Sequence, residues 1–94
     1  MRTKARVDAN QAYIVKMLRL VGATVTPTHA LGKGFPDICV GWEGYNFLFE
    51  IKDGDKPPSQ RKLTPDEEDW HMQWRGQVVI INSAEEAIEY LKSM

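Results

Sequence analysis

Residues 34 to 52, Gly-Phe-Pro-Asp-Ile-Cys-Val-Gly-Trp-Glu-Gly-Tyr-Asn-Phe-Leu-Phe-Glu-Ile-Lys, restrict the fold more than any other stretch of the chain. Two apolar runs flank the connection Gly41-Trp42-Glu43-Gly44, which is the pattern of a tight β-hairpin. In the second run Phe47, Phe49 and Ile51 face one way and Leu48, Glu50 and Lys52 the other, because successive strand side chains alternate faces. Where Asp37 lands depends on register. A two-residue loop at Trp42-Glu43 sets it opposite Leu48 and on the face of Glu50, and a four-residue loop sets it opposite Glu50 itself. A three-residue loop sends it to the other face.

Two carboxylates and an amine gathered in this way suit metal-dependent phosphodiester cleavage. Hard divalent cations such as Mg²⁺ or Mn²⁺ prefer oxygen ligands and keep several waters, so Asp37, Glu50 and a backbone carbonyl, which Ile51 can supply, make a sufficient protein share. Such an ion polarises a phosphate and acidifies water, while an ammonium such as Lys52 orients the attacking water or stabilises charge on the phosphorane. The bland alternative is a solvated strand edge with a surface Glu-Lys pair.

Gly34-Phe35-Pro36-Asp37, followed thirteen residues after the Asp by Glu50-Ile51-Lys52, resembles the motif of the PD-(D/E)XK nuclease superfamily. With Leu63-Thr64-Pro65-Asp66-Glu67 and the small size, the chain is similar to the virus-type replication-repair nuclease (VRR-NUC) domain in its stand-alone form, such as phages carry. The resemblance runs from about the first helix to the last. It implies an α/β fold with a restriction-endonuclease-like core, a mixed sheet flanked by helices, and Asp37, Glu50 and Lys52 as catalytic residues. It also implies a DNA endonuclease selective for branched or junction structures, like a Holliday-junction resolvase, working as a homodimer. The alternatives are a nuclease for flaps, nicks or ordinary duplex, and a DNA-binding module that keeps the fold without turnover.

A chain of 94 residues allows one domain, here residues 1 to 94, with a core small enough that dimerisation would help. No apolar run reaches membrane-spanning length and no signal segment opens the chain, so the expected setting is the cytoplasm of a bacterial cell or phage-infected host. The lone cysteine, Cys39, reads as a buried, reduced core residue. A net charge of −1 is unusual for a protein that binds DNA without sequence preference, since phosphate neutralisation supplies most of that affinity. The bases are clustered, however. Arg2, Lys4 and Arg6 form one acid-free segment and Lys56, Arg61 and Lys62 another, and Lys33 sits in the loop Gly32-Lys33-Gly34 expected at the mouth of the site. All seven are candidate DNA contacts.

Around the hairpin the chain reads as αβββαβα. Asp8-Ala9-Asn10-Gln11 has the form of a capping box opening a helix with Ile14, Met17, Leu18 and Val21 as its apolar stripe, ending at Gly22. Ala23 to Thr28 reads as a strand and His29 to Gly34 as a loop. A second helix begins with Thr64 as N-cap, Pro65 first and Glu67 third, ending before Gly76. Gln77 to Asn82 reads as a buried strand, and Ser83-Ala84-Glu85-Glu86 caps a last helix.

Four further residues are candidates near the metal. Asp8 is a possible ligand, although an N-cap role accounts for it. Asn10 falls on the buried stripe of helix one, where the superfamily often carries an acid. Gln11 and Glu67 are explained as capping-box partners, with support of the metal's ligands as the alternative role. Trp42 and Tyr45 at the hairpin tip are candidates for base stacking or a dimer contact. Other chemistries are poorly supplied: two histidines and one cysteine assemble no zinc set, and Gly32-Lys33-Gly34 lacks the spacing of a P-loop.

Overall fold

The computed structural model describes residues 8 to 94. Helix α1 (Gln11–Leu20), strands β1 (Thr24–Pro27), β2 (Ile38–Trp42) and β3 (Tyr45–Ile51), helix α2 (Pro65–Gln73), strand β4 (Val79–Ile81) and helix α3 (Ala84–Lys92) follow in the expected order. Two single turns of 3-10 helix, His29–Leu31 and Pro58–Gln60, lie in the connections. The sheet runs β1-β2-β3-β4, antiparallel except for β3 with β4. That parallel pair follows from its connection, because a strand reached through a crossover helix such as α2 returns in the same direction.

Strand alternation separates the two faces of the sheet as expected. Ile38, Val40, Phe47, Phe49 and Ile51 are buried with Ile14 and Leu18 of α1 and Ala87 and Leu91 of α3. Tyr90 of α3 packs edge-on against Phe47 and Phe49, with centroids 5.8 and 5.7 Å away. The opposite face carries Leu48, Glu50 and Lys52 and meets α2, a helix with no fully buried residue.

The hairpin turns one residue later than a Trp42-Glu43 loop would. Trp42 pairs with Tyr45, so the loop is Glu43-Gly44, with φ of 52° and 83°. Positive φ at both central positions is the twist-matched hairpin turn, in which Gly44 is free of strain and Glu43 is not. Continuing the register from Ile38↔Phe49 sets Asp37 opposite Glu50, the placement expected of the longer loop.

Helix α1 departs most from expectation. Its N-cap is Asn10, without a side-chain cap, while Asp8 gives only its backbone carbonyl to the Gln11 N–H at 3.0 Å. Neither Asp8 nor Gln11 therefore takes part in a capping box. Strand β4 is also shorter than Gln77 to Asn82, and Ile80 in it is 38% exposed. The Gln77 side chain explains the late start: its Oε1 accepts the Leu48 N–H at 2.6 Å and its Nε2 donates to the Leu48 carbonyl at 3.2 Å, so an amide side chain takes the place of strand backbone. Cys39 is half-buried rather than buried, because it alternates out of the core between Ile38 and Val40.

Candidate active site

Asp37 is fixed through its backbone. Its N–H donates to the Phe49 carbonyl at 3.0 Å, its carbonyl accepts the Thr28 N–H at 2.7 Å, and the Thr28 hydroxyl donates to the Pro36 carbonyl at 2.7 Å. Held between β1 and β3, the side chain accepts the Ile51 N–H on Oδ2 at 2.7 Å. Gly34, with φ of 84°, lets this segment run against α2, since a Cβ there would collide with the Asp66 carbonyl.

Glu50 and Lys52 leave the same face of β3 and are both buried, at 1% and 8% exposure. Lys52 Nζ lies 2.7 Å from Glu67 Oε1 and 3.8 Å from Glu50 Oε2. Glu67 is the third residue of α2 and completes a full capping box with Thr64, accepting the Thr64 N–H at 2.9 Å on the same Oε1 that receives Lys52. The capping role expected of Glu67 is thus in place, and the same oxygen contacts Lys52. One turn further along α2, His71 Nε2 lies 3.8 Å from Glu50 Oε1.

Burial governs the electrostatics. It pushes the Glu50 carboxyl up to about 10, helped by the neighbouring charge of Asp37. Asp37 is raised too, chiefly by burial, which the nearby Glu50 carboxyl and the Ile51 N–H only partly offset. Both carboxyls are thus held above their ordinary range, as expected where one carboxyl is buried beside another. Burial opposes the charge on Lys52, but Glu67, Glu50 and Asp8 outweigh it and raise the ammonium's pKa. Burial likewise works against Glu67, yet Lys52 and the Thr64 N–H leave it below the ordinary carboxyl value. His71 is held below its usual value by burial and then by Lys52, against an opposing pull from Glu67.

A buried carboxyl beside a half-buried one marks a place that accepts positive charge. Glu50 Oε1 is buried without a hydrogen-bond partner, and Ile51 lines the same cleft of about 460 Å³ as Asp37, Glu50 and Lys52. No group of three or more His, Cys, Asp or Glu side chains poised around a metal exists among the described residues. Two hard carboxylates in an open cleft fit an ion of the Mg²⁺ or Mn²⁺ type, which retains its own waters, better than one that needs a full protein cage.

The remaining candidates divide between this cleft and other surfaces. Asp8, Lys56 and Lys62 line the cleft. Asp8, relieved of the capping role, contributes charge to Lys52. Asn10 points elsewhere, donating from Nδ2 to the carbonyls of Lys52 at 3.1 Å and Asn82 at 3.3 Å, so it ties α1 to the backbone of the site. Gln11 is buried and pairs with His29 Nδ1 at 3.2 Å. Arg61 turns away, its Nε donating to the Lys56 carbonyl at 2.7 Å while its side chain joins a separate pocket beside Asp53 and Glu85. Lys33 lies on the outer side of α2 with Asp66, Asp69 and Trp74, not at the mouth of the cleft. Arg2, Lys4 and Arg6 lie outside the described residues. Trp42 is half-buried and packs against the core, whereas Tyr45 is 59% exposed.

Sequence reasoning missed His71 as part of the site. The signal was present, since Glu67 and His71 stand four residues apart and share one helix face.

No protein-family model matches the chain, and no curated protein matches it. Among solved structures, one described as a VRR_NUC domain superposes with a TM-score of 0.62 at 22% identity, over 87% of this chain and 89% of that one. The chain therefore shares the fold of that domain, a mixed sheet flanked by helices. No helix among the described residues is long and apolar enough to cross a membrane.

Proposed function

We propose that this chain is an endonuclease that hydrolyses DNA phosphodiester bonds with Mg²⁺ or Mn²⁺, its 94 residues acting as one nuclease domain. The observation that carries the reading is the convergence of Asp37 and Glu50 beside a buried Lys52 in an open cleft. Asp37 and Glu50 hold the cation, with the Ile51 carbonyl beside them. When bound, that cation supplies Lewis acidity to the phosphate and acidifies a water. Lys52 remains charged at neutral pH and is anchored by Glu67, so it serves as a fixed cation for the developing negative charge, not as a proton acceptor. Lys56 and Lys62, on the wall of the cleft, meet flanking phosphates.

Branched DNA, cut by a homodimer, is the substrate we favour. Tyr45, Met72, Trp74 and Ile80 are large apolar side chains left exposed, and a subunit contact would cover them. A twofold dimer presents two equivalent sites to a symmetric four-way junction. Cleavage of a panel of four-way junctions, flaps, nicked and intact duplexes with Mn²⁺ tests the substrate. Sedimentation equilibrium, together with cleavage by wild type mixed with Asp37→Asn, tests the dimer. Paired ligatable nicks from a monomer would remove the dimer, and preference for flaps would move the substrate without moving the site.

A further inference from the structure

His71 Nε2 and Glu50 Oε1 face each other across 3.8 Å, both shielded from solvent and both without a hydrogen-bond partner. Buried polar atoms are seldom left so, because each then forfeits the hydrogen bond it made to water. One is a nitrogen able to carry a proton and the other a carboxyl oxygen, so the two are complementary. His71 is also held in place. Its helix is pinned on one side by the Lys52–Glu67 contact at 2.7 Å and on the other by Trp70, whose ring packs edge-on against Phe35 at 5.2 Å. His71 cannot withdraw from Glu50 without disturbing both contacts.

We propose that His71 is a positioning residue for Glu50, its Nε2–H donating to Oε1 of the ionised carboxylate and leaving Oε2 for the cation. The inference rests on the metal-site reading above and deepens it. A carboxylate with both oxygens unsupported rotates, whereas one held by a hydrogen bond presents its other oxygen in a fixed direction. Removing such a support typically weakens metal binding by about 10- to 100-fold.

Calorimetric titration of the full chain with Mn²⁺, without DNA, tests this. His71→Phe fills the space without a donor and should bind Mn²⁺ at least about tenfold more weakly than wild type. His71→Gln restores an N–H donor and should recover most of that loss. If His71→Phe does not fold, His71→Met, equally without a donor, takes its place with the same expectation. Wild-type affinity in the donorless variant would overturn the proposal alone, as would a Gln variant as weak as the Phe one. Failure of the wild type itself to bind Mn²⁺ would overturn the metal site and the proposal together.

Discussion

The Lys52 ammonium is gripped at 2.7 Å by Glu67, a residue of the helix that follows the strand carrying the lysine. One carboxylate oxygen thereby caps α2 and anchors the site's cation, so the start of the helix and the position of Lys52 are set together. Gln suits a capping box as well as Glu does, and its amide oxygen still accepts from an ammonium. Glu67→Gln should therefore keep cleavage within about tenfold of wild type and lose about 1 kcal/mol of stability. Glu67→Ala loses cap and anchor together, about 1–2 kcal/mol, and cleavage should fall by about 100-fold. Thermal melts beside nicking rates check both. Wild-type cleavage by the Ala variant would show that the contact is incidental.

Glu50 makes stability depend on pH in the opposite sense to an ordinary ion-paired acid. Its folded-state value, about 10, lies above the 4.5 ordinary for a glutamate carboxyl. The folded state thus binds the extra proton, and stability present below pH 4.5 is lost as pH rises toward 10. Without divalent ions, Glu50→Gln should exceed the wild type at pH 8 by about 1–2 kcal/mol, or roughly 4–8 °C in Tm per kcal/mol. Mn²⁺ should reverse the ranking by stabilising only the wild type. Parallel curves of Tm against pH for the two proteins would contradict the buried-carboxylate account.

Asp8 now makes a different prediction from the one its sequence position suggests. Because it caps nothing, Asp8→Ser should leave Tm within about 1 °C, where loss of a true N-cap costs about 1 kcal/mol. Cleavage should fall several-fold, since the residue lines the cleft and its charge reaches Lys52. A drop of several degrees with full activity would restore the capping role.

Gly34 is the structural test of how the Pro-Asp segment meets α2. Gly34→Ala must strain a φ of 84° and push the Asp66 backbone aside, which should cost about 2 kcal/mol or more. Tryptophan fluorescence should shift with it, because Phe35 touches Trp70 and Trp70 stacks on Trp74 at 4.5 Å. An unchanged melt and spectrum would mean that the contact is easily relieved.

The sequence disclosed most where local physics decides. Strand alternation placed Glu50 and Lys52 on one face, and Thr64-Pro65 with Glu67 marked the start of α2 to the residue. It was ambiguous where two local solutions cost nearly the same. Gly41 and Gly44 each permit a turn at that end of the hairpin, and only the paired strands select Glu43-Gly44 with its strained Glu43. It misled where a tertiary partner outbid a local one. Gln11 gives up a cap for His29, Asn10 reaches across to the Lys52 and Asn82 carbonyls, and Gln77 replaces a strand residue with its side chain. His71 was passed over because the carboxyl that it faces, Glu50, lies on another element.

The central claim is that Asp37 and Glu50 together hold a divalent cation that cleaves DNA. The most direct measurement is the nicking rate on supercoiled and junction DNA with Mn²⁺, for wild type and for Asp37→Asn, with binding of Mn²⁺ followed by calorimetry on the same preparations. Wild type should bind the ion and cut, and EDTA should stop it. Asp37→Asn should do neither, its rate down by about 1,000-fold or more, while its melt stays within a few degrees of wild type. Full cleavage by Asp37→Asn, or cleavage by wild type that EDTA leaves untouched, would contradict the account.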